Sequence, residues 1–428
     1  MQIATVPAIE WTGFKRIIFR FCFLYFAIYI FFTPNNEFPV INDLYEWLNN
    51  QLHRFIPWFA KTFFGYKNEI TIFTNGSGDT TYDYMLWFFG IVLTVTGTII
   101  WTLLDRKRIS YNTLYYWIRV LIRYYLFCTM ISYGLFKVIK LQFPFPYLGR
   151  LVQPYGDSSP MGLAWTYMGY SNSYNYFTGY AELLAGVLLL FRRTSTIGAL
   201  VALGVMTNVF MINIGYDVPV KLLSFNTILM SLFLLWKDLK RLVNFFILNR
   251  VTLAADIALP YSNKKLRYSL LALKWIMVVL FIWINFTGAL DAQKLYGEKA
   301  PKPPLYGIYY TETFTRNNDT LPPLDTDTSR WERIIIQREN YAAIRLNNDT
   351  TRNYNFKIDT VTKTATVFPA WDTINKIHFN YLKDSVYLTL SGAIKNDSVY
   401  IKLKRFDENK FRLVNRGFHW VNEFPFNR

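Results

Sequence analysis

Long apolar runs occupy residues 1–290 of this 428-residue chain, and none occurs between residues 291 and 428. A spanning helix needs roughly 20 mostly apolar residues, so each run is a candidate membrane span. The whole chain is 52% hydrophobic with a mean hydropathy of +0.13, which is too apolar for a soluble protein of this length. The pattern therefore predicts a membrane part, residues 1–290, followed by a soluble part.

Seven segments approach the length of a spanning helix, which predicts an all-α membrane bundle of about seven transmembrane helices. They are residues 14–32, 84–104, 113–136, 176–191, 196–214, 219–236 and 269–288. The first is expected to be a retained span, because no small-residue cleavage site follows it. Lysine and arginine are concentrated in every second connection between the predicted spans, for example at Arg192 and Arg193. The positive-inside rule places the side of the membrane with these connections in the cytoplasm. We therefore expect a multi-pass protein of the bacterial inner membrane, with a cytoplasmic N-terminus and a periplasmic C-terminal domain.

The charge and the rare residue types exclude several functions. The net charge of +17 does not indicate nucleic-acid binding, because the basic residues lie beside apolar runs and fit contacts with membrane lipids. The two cysteines, Cys22 and Cys128, lie inside predicted spans and form no CxxC pair. All three histidines lie outside the spans, so we expect no haem between the helices and no metal site.

Residues 305–428 show short alternating runs, such as Trp331–Gln337, bounded by Asn, Asp, Gly or Ser. This pattern predicts roughly eight to ten antiparallel strands in an all-β domain, either a lipocalin-like barrel or a small sandwich. Such a barrel either holds a small ligand or is filled by side chains and serves as a docking module. Residues 291–304 are expected to be the linker to this domain.

Aspartate followed by serine or threonine recurs in the β domain. The positions are Asp319, Asp349, Asp359, Asp372, Asp384 and Asp397. The pattern is typical of Asx turns that lead into strands. It is also similar to the O-glycosylation acceptor of some Gram-negative envelope proteins, and both interpretations suit a domain outside the cytoplasm.

Glu182 is exceptional in the membrane part, because the stretch Tyr176–Phe191 around it is otherwise apolar, aromatic or small. A carboxylate within the bilayer is costly and normally faces a partner or a water-filled cavity. At about 1.5 Å per residue, Glu182, Asn208 and Asn226 lie at a similar depth of roughly 9 Å below the outer ends of their helices. They predict the floor of an outward-facing polar pocket. The alternative is a buried ion pair that only fixes helix packing, for which Arg123 is one candidate partner.

Charged residues near the outer ends of the helices, Lys137, Lys140, Asp217 and Lys221, are expected to form the rim of this pocket. The segment 142–165, rich in glycine, proline and aromatic residues, predicts a folded, partly re-entrant cover. The candidate ligand-binding residues are Arg123, Gln142, Asp157, Trp165, Asn208, Asp217, Lys221 and Asn226.

Three motifs, Phe127–Lys137, the Gln142-Phe143-Pro144 loop and Gly179-Tyr180-Ala181-Glu182, resemble DoxX-like membrane proteins of the DoxD-like superfamily. The resemblance covers about residues 110–250 and implies a four-helix membrane core. Some such proteins are subunits of quinone-linked sulfur oxidoreductases or thiol-redox complexes, and the wider superfamily includes quinol-using carboxylases. The resemblance therefore implies Glu182 and Lys137 as catalytic candidates and quinone as the candidate cofactor. The lack of paired cysteines departs from the redox members and argues against thiol chemistry.

Two functions follow from these patterns. The first is a membrane module that binds a quinone or lipid-like amphiphile as part of a membrane redox complex, with Glu182 moving a proton. The second is a non-catalytic envelope scaffold or accessory subunit whose β domain docks a partner protein. The sequence does not decide whether the protein is an enzyme.

Overall fold

The computed structural model describes residues 11–33, 42–72, 76–252, 254–255, 259–369, 372 and 374–427. The chain forms two compact units. The first, residues 1–143 and 160–292, is helical, and the second, residues 144–159 and 293–428, is built around a β-barrel. The predicted order of a helical part followed by an all-β part is confirmed.

The helices of the described chain are numbered in sequence order. They are α1 (Gly13–Phe32), α2 (Asn42–Phe64), α3 (Thr81–Leu104), α4 (Asn112–Val138), α5 (Leu148–Leu151), α6 (Pro160–Tyr170), α7 (Asn172–Leu190), α8 (Ser195–Gly215), α9 (Lys221–Trp236), α10 (Leu239–Phe246), α11 (Lys264–Leu295) and α12 (Arg412–Asn415). α5 and α12 belong to the barrel unit, as do residues 293–295 at the end of α11, and the rest of the helices lie in the helical unit.

Side-chain caps fix where several of these helices begin. Thr80 and Asp83 form a reciprocal capping box at the start of α3, which satisfies two backbone N–H groups. Ser171 caps α7 by accepting a hydrogen bond from the Tyr174 N–H group. The cap of α9 comes from a distant loop, because the Asp79 carboxylate accepts from the N–H groups of Lys221 at 2.6 Å and Leu222 at 2.9 Å.

Four helices of the helical unit form a ring in which each contacts the next: α4 contacts α7, α7 contacts α8, α8 contacts α9 and α9 contacts α4. α1 contacts both α3 and α4. The shared core includes Ile122, Tyr125 and Met130 of α4, which are fully buried. This packing gives α4 neighbours on several sides, so the polar residues of α4 are held between helices.

Three helices are long and apolar enough to cross a membrane, namely α3, α8 and α11, and the pair α9 and α10 would add a fourth if it is one bent span. Seven spans are therefore not supported by helix length and hydropathy within the described residues. α4 contains the predicted span 113–136, but it also contains Arg119, Arg123 and Lys137. α9 and α10 meet at an angle of 80°.

The strands of the described chain form one antiparallel sheet. They are β1 (Gly307–Arg316), β2 (Asp319–Thr320), β3 (Trp331–Arg338), β4 (Tyr341–Leu346), β5 (Thr351–Asp359), β6 (Thr364–Pro369), β7 (Ile377–Lys383), β8 (Tyr387–Ile394) and β9 (Asp397–Phe406). β1 pairs with β3, each later strand pairs with the next, and β9 pairs back with β1, which closes an eight-stranded barrel. The two-residue strand β2 extends the hairpin from β1. A barrel is therefore found and not a sandwich.

Apolar side chains fill the interior of the barrel. Inward positions alternate along the strands, as in β4, where Ala342, Ile344 and Leu346 are buried. Large side chains such as Phe314 and Phe356 are also fully buried in the same cluster. A barrel of eight strands is just wide enough for side chains to fill it, so this domain matches the solid form of the two sequence alternatives.

Aspartates shape the barrel turns as Asx motifs, which supports the turn interpretation of the Asp-Ser/Thr pattern. Asp359 accepts hydrogen bonds from the N–H groups of Val361 and Thr362, and Asp384 accepts from Val386 and Tyr387. The N–H groups of Thr362 and Val361 hold the pKa of Asp359 below its ordinary value of 3.8. The N–H groups of Tyr387 and Val386 lower the pKa of Asp384 in the same way.

These two lowered pKa values predict a pH dependence of barrel stability. A carboxylate whose pKa is lower in the folded state stabilises the fold fully above its unfolded pKa, and this contribution is lost as pH falls through the folded pKa. We expect the unfolding temperature of the barrel to decrease below pH 3.8. The double substitution Asp359→Asn and Asp384→Asn should weaken that decrease, because the amide oxygen still accepts but carries no titrating charge.

The measurement is thermal unfolding of the full chain followed by its β-sheet circular dichroism at several pH values. Asp325→Asn is a suitable control, because Asp325 is an exposed aspartate of the same unit. An equal acid decrease in all three proteins would show that these turn hydrogen bonds do not carry the effect.

Candidate functional site

Lys137 and Glu182 form a buried ion pair between α4 and α7. The Lys137 ammonium donates to Glu182 Oε1. Both residues are nearly inaccessible, with 5% and 1% of their surfaces exposed. Removal of either member of such a pair would leave an uncompensated charge in a low-dielectric interior, which is strongly destabilising. Of the sequence alternatives for Glu182, the ion pair is present, and its partner is Lys137 and not Arg123.

Two glycines allow α4 and α7 to approach closely at this pair. A Cβ atom at Gly179 would lie 3.1 Å from the Gly134 carbonyl oxygen, 3.1 Å from Lys137 Cβ and 2.8 Å from a methyl group of Val138. A Cβ atom at Gly134 would lie 3.0 Å from the Gly179 carbonyl oxygen. Small residues permit such backbone contact between membrane helices. The glycine pair thus sets the helix separation at which Lys137 reaches Glu182.

Three buried oxygen atoms on or beside these helices have no hydrogen-bond partner among the described residues. They are Glu182 Oε2, Asn175 Oδ1 and Gln142 Oε1. Asn175 lies on the same face of α7 as Gly179 and Glu182, and its amide donates to the Phe143 carbonyl oxygen at 2.8 Å. Buried acceptors normally have a partner, so each of these oxygens is available to a proton, a water molecule or a ligand donor.

Arg123, one candidate partner of Glu182, instead caps a helix end, while Glu182 pairs with Lys137. Its guanidinium donates to the Leu189 carbonyl oxygen from Nε at 3.0 Å and from Nη2 at 2.7 Å. Lys274 of α11 donates to the adjacent carbonyl oxygen of Leu190. The last carbonyl groups of a helix lack intrahelical partners, and cations at that end satisfy them.

The predicted pocket floor of Glu182, Asn208 and Asn226 does not assemble. Asn208 lies on the exposed face of α8. Asn226 is buried, but its side chain accepts from the Tyr25 hydroxyl at 2.6 Å and donates to the Leu222 carbonyl oxygen at 2.9 Å. Asn226 therefore connects α9 with α1. The three residues share a depth, but the rotation of each helix about its axis points their side chains in different directions.

The predicted rim is divided in the same way. Asp217 is exposed and pairs with Lys221 at 3.1 Å, and Lys221 also lies 3.8 Å from Asp79. Lys140 is buried, and its ammonium contacts the Asn172 side-chain oxygen at 2.5 Å. Of the four rim residues, Lys137 contacts Glu182, while Asp217 and Lys221 belong to the turn that begins α9.

The predicted cover, residues 142–165, is not one element. Residues 144–159 belong to the barrel unit, and Asp157 is an exposed residue of a short 3-10 turn there. Within that unit, the Gly149 N–H group donates to the Gln337 side chain of β3 at 3.0 Å. Trp165 lies in α6 of the helical unit, where its ring contacts Phe143 edge-on at 5.0 Å. Asp157 and Trp165 therefore contribute to different units.

A cavity of about 1260 Å³ lies within the helical unit, away from the predicted pocket. Its wall is strongly aromatic and includes Tyr25, Trp87, Tyr115, Phe225 and Phe233. Arg119, Arg123 and Arg192 are also among its lining residues, whereas Glu182 and Lys137 are not. Of the residues predicted to bind a ligand, Arg123 lines this space.

Several residues of these sites were not predicted from the sequence, although one of them had a detectable signal. Asn213 of α8 is buried and donates to Val220 O and Ser224 Oγ, in the role expected of an inward-facing asparagine. It continues the heptad-like spacing of Ser195, Ala202 and Met206 on the buried face of α8. Asn208 falls outside that spacing. The cavity has no comparable sequence signal, because its residues come from helices far apart in the chain.

Comparison with known proteins gives one similarity. The uncharacterized protein YwoB of Bacillus subtilis (strain 168) is 36% identical to this chain over 126 residues, which is 29% of this chain and 79% of that protein. No family model matches the chain, and no solved structure matches it.

Proposed function

The chain belongs to the same family as the Bacillus subtilis protein YwoB, and we propose that it is an integral membrane protein that binds a quinone or another lipid-like amphiphile. The observation that carries the proposal is the cavity of about 1260 Å³ inside the helical unit. Ligand sites are concave and mostly apolar with a few convergent polar groups, and this cavity combines aromatic walls with arginine side chains.

We also propose that α4, α7, α8 and α9 are a DoxX-like four-helix core. Two features support this: the closed ring of contacts among these helices, and the ion pair Lys137–Glu182 on the motifs that carry the resemblance. In a redox complex, this pair would hold or transfer a proton, since Glu182 Oε2 has no partner within the described chain. Quinone remains the candidate cofactor, although a quinone in the cavity would not contact this pair, because neither Lys137 nor Glu182 is among the described lining residues.

The proposed topology keeps seven membrane crossings, with the N-terminus inside and the barrel in the periplasm. Three of these crossings, α1, α4 and α7, are not among the helices that are long and apolar enough by composition. α1 and α4 contain arginines, but these arginines have partners within the protein. Arg20 is 3% exposed and donates to the Tyr111 hydroxyl at 2.6 Å and the Asp105 carbonyl oxygen at 2.7 Å. Charged residues in membrane helices are tolerated when they face such partners.

The second candidate function, an envelope scaffold whose barrel docks a partner protein, is favoured by one observation. The barrel interior is filled by side chains such as Tyr309, Phe356 and Phe379, which are 1% exposed. A filled barrel leaves its outer surface for contacts. This role and amphiphile binding by the helical unit are compatible within one chain.

Filling the cavity tests amphiphile binding. Ile91 lines the cavity, whereas Val92, the next residue of α3, is exposed and is not among its lining residues. We expect Ile91→Trp to reduce photolabelling by a quinone that has a photoreactive isoprenoid tail, by about tenfold. This corresponds to about 1.4 kcal/mol, which is within the usual cost of overfilling an interior.

The matched control is Val92→Trp, which adds the same volume to the neighbouring position. Photoreactive phospholipid is the second probe, because the proposal covers lipid-like amphiphiles as well as quinones. Equal labelling of wild type, Ile91→Trp and Val92→Trp by both probes would contradict binding in this cavity.

A further inference from the structure

The short helix α10 is held at 80° to α9 within the helical unit. Asp238, which lies between the two helices, fixes this bend. Its carboxylate pairs with Arg241 of α10 and accepts a hydrogen bond from the Thr196 hydroxyl of α8 at 2.8 Å. Leu242 of α10 also packs against the helical core. α10 therefore has a defined direction, nearly perpendicular to α9.

The end of α10 presents an exposed apolar surface. Four consecutive residues are large, apolar and exposed: Phe245, Phe246, Ile247 and Leu248. Phe246 and Ile247 expose 71% and 73% of their surfaces, and Val251 in the following segment is almost fully exposed. Such a run is unfavourable in water unless another surface covers it, and it normally marks a protein or membrane contact.

The side chains of α10 are also divided between an apolar and a polar side. Residues spaced by three and four positions form the apolar side: Leu239, Leu242, Val243 and Phe246. The polar side is formed by Lys240, Arg241 and Asn244. Leu242 contacts the helical core, and Phe246, one turn further along the same side, extends beyond it into exposure. This pattern, with Lys and Arg opposite Phe and Leu, is typical of a helix that lies in the plane of a membrane interface.

The orientation of α9 gives α10 a position relative to the membrane. If α9 crosses the bilayer, as proposed above, a helix bent by 80° from it runs close to the membrane plane. Trp236 ends α9 with an exposed ring, and tryptophan is enriched at membrane–water interfaces. Lys240 and Arg250 are exposed on the same segment, where long cationic side chains can extend toward the lipid headgroups.

From these observations, we infer that α10 and residues 247–251 bind the lipid bilayer itself, with Phe245, Phe246 and Ile247 inserted about 5–10 Å into the boundary between headgroups and acyl chains. In the proposed topology this is the cytoplasmic leaflet. The inference rests on the proposed membrane crossing of α9 and adds a lipid-binding surface outside the cavity. Phe245, Phe246 and Ile247 are not among the described lining residues of that cavity.

Depth-dependent fluorescence quenching of the full chain tests this placement. Cys22 and Cys128 are replaced by alanine, and one new cysteine, from Phe246→Cys or Lys240→Cys, carries an environment-sensitive fluorophore. Both positions are exposed, and they lie on opposite sides of α10, so Lys240→Cys is the matched control. The labelled proteins are reconstituted in phosphatidylcholine vesicles that contain lipids with a nitroxide either near the headgroup or at the end of the acyl chain. Iodide is the aqueous quencher.

We expect the label at position 246 to be quenched about threefold more strongly by the shallow nitroxide than by the deep one, since an interfacial helix inserts only into the boundary region. Iodide should quench the label at position 240 about threefold more strongly than the label at position 246, because the polar side faces water. Both proteins are compared in vesicles prepared in the same way, so mixed orientations in the bilayer affect them equally.

Three outcomes would overturn the inference. Equal quenching by iodide at the two positions would place α10 in water. Stronger quenching at position 246 by the deep nitroxide would make α9 and α10 one bent span. Protection of position 246 from both lipid and aqueous quenchers would show that protein covers it, either a second copy or another part of this chain.

The proposed function is tested separately in the wild-type protein. Loss of the chain from the vesicles on alkaline extraction would overturn its membrane location and the proposed function together. Quinone photolabelling that is reduced by Ile91→Trp would leave cavity binding intact even if the placement of α10 were wrong.

Discussion

Glu182→Gln is expected to lower the free energy of unfolding of the helical unit by about 3–5 kcal/mol, the usual cost of leaving one member of a buried ion pair without its partner. The substitution preserves the shape of the side chain but removes the charge that faces the Lys137 ammonium. Lys137 is only 5% exposed, so water cannot replace the lost carboxylate without rearrangement of α4 and α7. Unfolding of the purified protein in mixed micelles measures the change.

A double-mutant cycle separates the two charges. Lys137→Met and Glu182→Leu should each destabilise the helical unit when made alone, because each leaves the other charge unpaired. The double variant Lys137→Met and Glu182→Leu should recover most of the loss, since an apolar pair of similar volume often replaces a buried ion pair at little cost. Additive losses in the double variant would show that the two residues are not coupled.

The same double variant distinguishes an ion pair that only fixes the helix packing from one that takes part in proton transfer. If Lys137 and Glu182 only fix the helix packing, the stable double variant keeps any activity or quinone-dependent proton uptake of the wild-type protein. Loss of that proton uptake at restored stability would assign the pair a chemical role, as the DoxX-like resemblance implies.

Gly179→Val is the second substitution with a large expected effect. The added side chain would overlap the Val138 side chain at 2.8 Å and the Gly134 carbonyl oxygen at 3.1 Å, so α4 and α7 must separate. We expect a loss of at least about 1–3 kcal/mol of stability, the usual cost of overfilling a packed interior. Helix separation would also pull Lys137 away from Glu182 and expose its amine to an acylating reagent.

Gly204→Val in α8 is the matched control, because a Cβ atom at Gly204 has no neighbour within 4 Å. Both substitutions place valine in the interior of a helix, so they share its effect on helix propensity. Unfolding in micelles and mass-spectrometric measurement of Lys137 acylation serve for both. Equal stability and equal acylation in the two variants would show that the close approach at Gly179 is not required.

The fold class was predictable because it depends on local patterns. Apolar runs and period-two alternation are read within one helix or strand, and the helical part and the barrel follow from them. The number of spans was less predictable, because Arg123 and Lys137 lower the hydropathy of α4. The partners of these two side chains lie on another helix. The sequence shows that these charged residues are unfavourable within a membrane helix, but it does not show which residues interact with them.

The candidate site was predicted in one part and missed in another. Glu182 was recognisable as a buried carboxylate, because the stretch Tyr176–Phe191 around it is otherwise apolar, aromatic or small. Asn208 and Asn226 were grouped with it from depth alone, although depth does not give the rotation of a helix about its axis. The cavity depends on contacts between α1, α4 and α9, which no local pattern encodes.

Closure of the barrel by β1 and β9 limits how a partner protein can bind it. The eight long strands have both neighbours, so they offer no free row of backbone N–H and C=O groups to an incoming strand. A partner therefore cannot dock by adding a strand to the edge of these eight. Recognition must come from side chains on the outer surface of the barrel and from its turns. Point substitutions there should alter partner choice without affecting the strand pairing that holds the barrel together.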